Sequence, residues 1–514
     1  MMGVRLSFAI FLLAEFCCLL VCKGFISPHK NSLSLVSRST TVKSLSKVSV
    51  LKDPVEPVTP VQESANTKED TPLFDFAKAW YPLAVEDFTS KDKPHALQFL
   101  GNDVVLWYSK EDSSWRVFED SCPHRGVPLS EGRIEENGEL LCAYHAWTFG
   151  PTGECTGMPH LGGSEAKREQ LRGRACVKQH PVRVAQGLVW AWGEGGGPGA
   201  DCHLEAALKP PRLIEELQEG EGGQPPSGSG HSYNFRDLPY GWDMFMENVL
   251  DPAHVSVSHH NIVGNRYKDP QPFDLERMEP LELEGYPEDT GFKHRINFQS
   301  PSAAGVVSTN EFRPPCLTKI TTEYPSGAKS ILALYATPTR PGYCRHIGCQ
   351  VFVGGRNGEE APGLGAFKML PTWATHLAAS LFLHQDQVFL HHQERKLYAS
   401  SDYAFGDFSA DPQLAARLTT DPEAYASTYF TPSPADKQIT DLRRWIHRRA
   451  GGGVRWGAAA LAGGLPPRLR PADLFDVWHS HTENCEVCLS TLGRVRAGRR
   501  AAAVGAAAAL VGAA

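Results

Sequence analysis

A chain of 514 residues, 41% hydrophobic and 21% charged, has the make-up of a globular protein of about three units at roughly 150 residues each. Its formal charge is −7, but the first 52 residues hold seven Lys/Arg and one acid, Glu15, leaving 44 basic and 57 acidic groups in the rest, a net of −13. A body that acidic excludes charge-driven binding of nucleic acid or of an anionic membrane surface.

Arg5 precedes a short apolar run over residues 7–22, with Glu15 inside it and Gly24 just beyond, which reads as a secretory signal. Residues 25–52 are rich in Ser, Thr, Val and Lys, contain no acid, and read as a transit peptide. Together 1–52 resemble the bipartite presequence of algae with complex plastids, in which an aromatic residue, here Phe25, begins the second half. Residues 53–77 are Pro/Thr/Glu-rich and read as a linker. From Trp80, short alternating runs such as Val104-Val-Leu-Trp-Tyr108 are separated by turn signals such as Gly101-Asn102-Asp103, an antiparallel β pattern that closes at Gly193. Residues 194–230 are Gly/Pro-rich and read as an interdomain linker. A second body, 231–450, opens with a helical stretch around Trp242 to His254. Strand-like runs follow, and a further helix is expected between Thr375 and Arg395. Residues 451–500 carry Cys485-x-x-Cys488. The tail 501–514 is small and apolar, and shorter than the about 20 residues that cross a bilayer.

Ten of the thirteen cysteines lie beyond Cys17, Cys18 and Cys22 of the apolar run, and do not suggest a disulfide framework in a chain this long. Two of them sit in Cys122-Pro-His124-Arg-Gly126 and Cys142-Ala-Tyr-His145-Ala-Trp147. The pattern is C-x-H, then C-x-x-H, and it pairs one thiol with one imidazole in each half. A Cys₂His₂ zinc finger would instead group its cysteines together and its histidines together. The split fits a Rieske [2Fe–2S] cluster, with two thiolates on one iron and two neutral imidazoles on the other. That ligand set raises the potential to about −150 to +300 mV, against about −400 mV for an all-Cys plant-type cluster. Pro123, Gly126 and Pro128 supply the turn chemistry.

The second body contains Asn248-Val-Leu-Asp251-Pro-Ala-His254-Val-Ser-Val-Ser-His259. Two histidines and one carboxylate with open positions form the facial triad of non-haem Fe(II) oxygenases. His254 and His259 are the candidate imidazoles. Their five-residue spacing does not superpose on a straight helix, so the helix has to end or bulge between them. Asp386, flanked by Leu383, Val388, Phe389 and Leu390, is the candidate carboxylate, because a buried acid there needs a partner such as a metal. Asp402 and Asp407 are weaker candidates, and His260, His384, His391 and His392 crowd the same regions. Asp251 could orient His254 through its other ring nitrogen, or carry electrons or protons inward; the plain alternative is a helix cap. Cys485-x-x-Cys488 could be a reversible dithiol, half a metal site or two ordinary cysteines.

These motifs in this order resemble a Rieske oxygenase α-subunit, and in detail the plant and algal group of pheophorbide a oxygenase, the translocon component Tic55 and, more distantly, chlorophyllide a oxygenase. The features that carry it are Cys122-Pro-His-Arg-Gly126, Cys142-Ala-Tyr-His-Ala-Trp-Thr-Phe149, Asn248-Val-Leu-Asp-Pro-Ala-His254, Phe382-Leu-His-Gln-Asp386 and the tail from Trp478 to Cys488. The resemblance implies an α+β chain: an all-β Rieske domain over 78–193, then a helix-grip (START-like) catalytic domain over 231–450 with an antiparallel sheet around a long helix. It implies a mono- or dioxygenase that oxidises a tetrapyrrole with O₂ and electrons from reduced ferredoxin, Asn248 and Asp251 beside the iron, and a homotrimer in which one subunit's cluster feeds the next subunit's iron past Asp251. It further implies a plastid location, with membrane attachment near the C-terminus; a reversible dithiol at Cys485 and Cys488 would be open to thioredoxin. Since no full span follows Cys488, the chain departs from the group at the anchor. The alternatives are a redox-sensing component of plastid protein import and a bare Rieske electron carrier, neither of which needs a second iron.

Overall fold

The computed structural model describes residues 74–512 except 163–169, 172–173, 198, 218–228, 264, 268–273, 279–290, 298–304, 401–428, 458–459 and 461–464. The expected presequence, most of the first linker, Asp402 and Asp407 lie outside the described residues.

Eleven short strands build the first half: β1 (Trp80–Val85), β2 (His95–Phe99), β3 (Asn102–Ser109), β4 (Ser114–Glu119), β5 (Arg133–Ile134), β6 (Leu140–Leu141), β7 (Thr148–Phe149), β8 (Cys155–Gly157), β9 (Gln179–His180), β10 (Val182–Ala185) and β11 (Leu188–Trp192). They form three antiparallel sheets, ordered β2-β3-β4-β9, β5-β6-β7-β8 and β1-β11-β10. The β5–β8 sheet and the inward face of β3 and β4 enclose a small core of Val105, Trp107, Phe118, Leu129, Leu140 and Phe149.

The second half is one seven-stranded antiparallel sheet, ordered β12-β18-β17-β16-β15-β14-β13. Its strands are β12 (Gly230–Leu238), β13 (Asp274–Arg277), β14 (Phe292–Asn297), β15 (Val307–Arg313), β16 (Leu317–Glu323), β17 (Lys329–Arg340) and β18 (Tyr343–Val353). Residues 333–339 of β17 are all buried, because the sheet is covered on both sides. Side chains alternate across a strand, and here they alternate between two covers. Thr318, Leu334, Ala336 and His346 share the face that meets Met246 and Phe245 of a helix, α2 (Trp242–Leu250). Tyr335, Thr337 and Arg345 share the opposite face, where Tyr335 packs on Trp190, Thr337 Oγ1 donates to Pro82 O (2.8 Å) and Arg345 Nη1 donates to Leu83 O (3.1 Å). One hydrophobic core therefore runs from Trp80, Trp190 and Trp192 of the β1 sheet through Tyr335 and Ile347 to Leu442 and Trp445.

The remaining helices are α1 (Asp201–Leu208), α3 (Val255–Ser258), α4 (Leu364–Lys368), α5 (Thr372–Ser400), α6 (Lys437–Arg448), α7 (Pro471–Leu474), α8 (Val477–Ser480) and α9 (Glu486–Gly512). The 29 residues of α5 exceed the expected helix at both ends. Its buried positions, His376, Ser380, Asp386, Gln387, Leu390, His391, Glu394 and Leu397, fall on one face of a helix. Most are polar, so each needs a partner in the interior.

Three expectations are corrected. The helix from Trp242 stops at Leu250 rather than reaching His254, because Pro252 disfavours helical backbone at Asp251. The first linker ends before Phe74, since Phe74 and Phe76 are buried against Trp242 and Trp445 and Phe74 N donates to Arg449 O (2.7 Å). Within 194–230, α1 buries Cys202 and Ala206, Ile214 is fully buried, and Arg212 Nε donates to Pro314 O (2.7 Å), so this stretch is docked onto both halves. In the tail, residues 501–512 continue α9. Among the described residues no helix is long and apolar enough to cross a membrane.

Candidate metal centres

Cys122-x-His124 and Cys142-x-x-His145 sit on two loops with one hydrogen-bond pattern. Cys122 N donates to Val127 O (2.8 Å) and Gly126 N to Cys122 O (2.8 Å); Cys142 N donates to Trp147 O (2.8 Å) and Ala146 N to Cys142 O (3.1 Å). The residue four places after each cysteine has positive φ, +71° at Gly126 and +54° at Ala146. Glycine takes that conformation freely and alanine at a cost, so the second loop holds its shape against local strain. Both thiols are buried in the small core, while His124 is exposed and His145 half-buried, their rings 4.6 Å apart. Trp147 stacks on His124 (4.7 Å, 7°) and Tyr144 leans on His145 (3.9 Å). Burial, with Cys142 alongside, pushes the Cys122 thiol up to about 11. A metal that binds thiolate supplies the charge to draw those protons off. Buried sulfurs on one side and outward imidazoles on the other are the donor set a Rieske cluster divides between its two irons.

The second centre gathers around α3, which is a single helical turn. His254 is its N-cap and His259 its C-cap, so two residues five apart reach one point from opposite ends of the turn. Asp386 reaches the same point from α5. Its Oδ2 lies 3.1 Å from His259 Nε2 and 3.7 Å from His254 Nε2. The other ring nitrogens are committed: His254 Nδ1 to the carbonyl of Asp251 (2.6 Å), His259 Nδ1 to Gln385 Oε1 (2.9 Å). Both acceptors lack protons, so both Nδ1 atoms donate and each ring turns its Nε2 toward a carboxylate oxygen. A ring nitrogen and a carboxylate oxygen 3.1 Å apart share a cation, either a proton or a metal ion. Ligands at right angles with bonds of about 2.1 Å stand about 3 Å apart, which this geometry approaches. Asp386 is buried, and its Oδ1 has no hydrogen-bond partner among the described residues. Leaving such a carboxylate uncompensated costs several kcal/mol, so the donor set fits a divalent ion. Phe382 stacks on His259 (3.6 Å, 17°) and fixes the ring plane.

The carboxylate of Asp251 is not what orients His254. Its Oδ2 stands 3.8 Å from Nδ1 while its Oδ1 accepts from Ala253 N (2.8 Å), and the main-chain carbonyl takes the ring proton. Burial raises the Asp251 carboxyl above the ordinary aspartate range, with His254 pulling the other way. Asn248 closes α2, its carbonyl accepting from Asp251 N (3.1 Å). The neighbouring histidines serve elsewhere. His260 accepts from Arg266 N (3.1 Å), His384 Nε2 meets Arg236 Nη2 (2.8 Å), and His391 bridges Pro239 O (2.7 Å) and Leu469 N (3.0 Å). Gln385 was not singled out as a functional residue by the sequence reading, although the residue before a ligand on a helix is within reach of a neighbouring ligand. Cys485 and Cys488 lie far along the chain from both centres and meet two histidines, His376 and His481, that the sequence did not single out.

Residues 79–180 match the family model described as Rieske [2Fe-2S] domain, and residues 312–402 the one described as Pheophorbide a oxygenase. The chain is 30% identical over 435 residues to the chloroplastic pheophorbide a oxygenase of Arabidopsis thaliana, spanning 82% of this chain and 73% of that protein. The chain belongs to the pheophorbide a oxygenase group of Rieske oxygenases. Within that group it is also 32% identical over 446 residues to flavonoid 8-hydroxylase 2 of Ocimum basilicum (84% of this chain, 76% of that one). It is 28% identical over 470 residues to the protochlorophyllide-dependent translocon component 52 of Arabidopsis thaliana (84% and 76%). As a Rieske non-haem iron oxygenase it is an enzyme with two iron cofactors, a [2Fe–2S] cluster and a mononuclear iron, and it works with an electron donor, O₂ and an organic substrate.

Proposed function

We propose that this protein is a plastid oxygenase that uses O₂ and electrons from reduced ferredoxin to oxidise a tetrapyrrole of the pheophorbide a or chlorophyllide a type. The observation that carries the reading is the convergence of His254 Nε2, His259 Nε2 and Asp386 Oδ2, since a bare electron carrier or a redox sensor needs no such set. Cys122, His124, Cys142 and His145 would hold the cluster that delivers single electrons, and His254, His259 and Asp386 the iron that activates dioxygen.

The chain's own share is positioning. The Asp251 carbonyl and Gln385 hold the two imidazoles in one tautomer, and Phe382 holds one ring plane. His124 and Tyr144 stand at the surface, where electrons can enter from a donor protein or leave for a neighbouring subunit. A homotrimer that passes electrons between subunits past Asp251 belongs to this reading. The plastid location rests on the relatives, which are chloroplastic. A second substrate class, flavonoids, is favoured by the 32% identity to the flavonoid hydroxylase.

The test is turnover of a panel of plastid pigments and flavonoids by the protein from Asp53 onward, with reduced ferredoxin and labelled dioxygen, read by mass spectrometry. Label in a tetrapyrrole is expected, and the number of atoms gained distinguishes ring cleavage from hydroxylation. Label only in a flavonoid would transfer the assignment to that class. No label from a protein holding its full iron would remove the oxygenation of both.

A further inference from the structure

We propose that His376, His481, Cys485 and Cys488 form a tetrahedral Zn(II) site that fastens the C-terminal segment to the start of α5. The four donor atoms lie within 4.8 Å of one another. His376 Nδ1 stands 3.4 Å from Cys488 Sγ and 3.6 Å from Cys485 Sγ, and His481 Nε2 stands 3.3 Å from Cys488 Sγ. Zn–S bonds of about 2.3 Å and Zn–N bonds of about 2.0–2.1 Å at tetrahedral angles put sulfur and nitrogen about 3.5 Å apart. Three separations within a few tenths of that value are what four ligands around one ion would leave.

The tautomer agrees. His481 Nδ1 donates to Phe235 O (2.8 Å), a main-chain carbonyl of β12, so its neutral ring turns a bare Nε2 toward the thiols. A metal-bound histidine usually has its other nitrogen tied in this way. For His376 the far nitrogen, Nε2, has no hydrogen-bond partner among the described residues, and the ring lies edge-on to Phe88 (4.6 Å). Its orientation is set by packing instead.

Two thiols and two imidazoles suit zinc, and four protein ligands leave no position for a substrate, which marks a structural rather than a catalytic ion. Burial points the same way. Cys485 is fully buried and both histidines are 2% exposed. A regulatory dithiol has to be reached by a partner's thiolate at one of its sulfurs; Cys485 is closed off and Cys488 is half-buried. The cysteines are both free thiols. The ion would join α5, the α8–α9 corner and, through the His481 ring, β12. His376 is ten residues from Asp386, about 15 Å along the same helix, so these are positioning residues with no contact to the reacting atoms.

The assignment does not depend on the substrate. It is tested by metal analysis and zinc-edge X-ray absorption of the full chain purified under reducing conditions with Zn(II) in the medium. About one zinc beside about three irons per chain is expected, with two sulfur and two nitrogen neighbours. The folded C485S/C488S double variant should lose the zinc, keep all its iron and its cluster spectrum, and melt at lower temperature. Wild-type protein that takes up no zinc, that holds a fourth iron in its place, or that carries a Cys485–Cys488 disulfide open to thioredoxin overturns the proposal, as does zinc retained by the double variant. Should the double variant be insoluble, the zinc count and coordination of the wild type decide.

Discussion

At the scale of single residues, the iron centre depends on atoms that touch no metal. Gln385 Oε1 is the acceptor that keeps His259 in the tautomer with Nε2 bare. Gln385→Leu leaves the ring free to turn and to protonate at the wrong nitrogen. Losing such a partner typically costs about 10–100-fold in metal affinity or activity, so iron retention on dialysis and turnover should fall by that order, with the cluster's spectrum unchanged. An unchanged iron dissociation constant would show that Phe382 alone orients the ring. Asp386→Asn is the harsher change. It removes the one negative ligand, and iron content should drop from about three to about two per chain with turnover abolished. Retention of the third iron would place the carboxylate elsewhere. His254, His259 and the four candidate cluster ligands stand out in the sequence because the His pair and each Cys–His half lie within a few residues of chain. Asp386 was legible through its apolar flanks. His376 was not, because its partners stand more than a hundred residues away and nothing local distinguishes it from a surface histidine.

At the scale of elements, α5 carries a buried face that is mostly polar, and one member of it sets a pH dependence. Glu394 is fully buried against α2, its Oε1 accepting from Gly241 N (2.9 Å), with Asp243, Arg395 and Arg443 around it. Burial, reinforced by Asp243, pushes its carboxyl up to about 8. An acid whose folded value exceeds its unfolded value near 4.3 is protonated on folding, so stability falls as pH rises from about 4.3 to about 8 and levels off above. Glu394→Gln keeps the acceptor for Gly241 and has no proton to lose. Thermal melts at pH 5 and pH 8 should therefore differ less for the variant than for the wild type; equal differences would mean that Glu394 folds ionised. The break after α2 belongs to the same scale. Asp251-Pro252 is enough to place it, since the residue before a proline is pushed out of helical backbone. Composition misled over 194–230, where abundant Gly and Pro concealed the three anchors Cys202, Ala206 and Ile214.

At the scale of the whole molecule, the β1 sheet and the seven-stranded sheet share one core and are cross-linked by polar contacts. Arg345 makes a two-pronged ion pair with Asp237 (2.7 Å at each prong) while also donating to Leu83 O. Arg345→Ala removes the hydrogen bond to Leu83 O, while Asp237, whose side chain is 36% exposed, can turn to water, so a loss of about 1–3 kcal/mol is expected. Because the seam lies inside the shared core, calorimetry should show one transition covering both halves, lowered as a unit in the variant. Two separated transitions would mean that the halves unfold independently. The β pattern of the first half was legible from strand periodicity and the spacing of turns and the helix-grip second half through the family resemblance, while the docking of one half on the other was not, since it rests on side chains that alternate between two covers and no local pattern records which cover each one meets.

The candidate iron ligands are His254, His259 and Asp386, the last two 127 residues apart, and no stretch of chain short of residue 386 contains all three. An iron held by these three side chains is therefore bound only after residues 254–386 have folded together, so metal loading follows folding of this half of the chain.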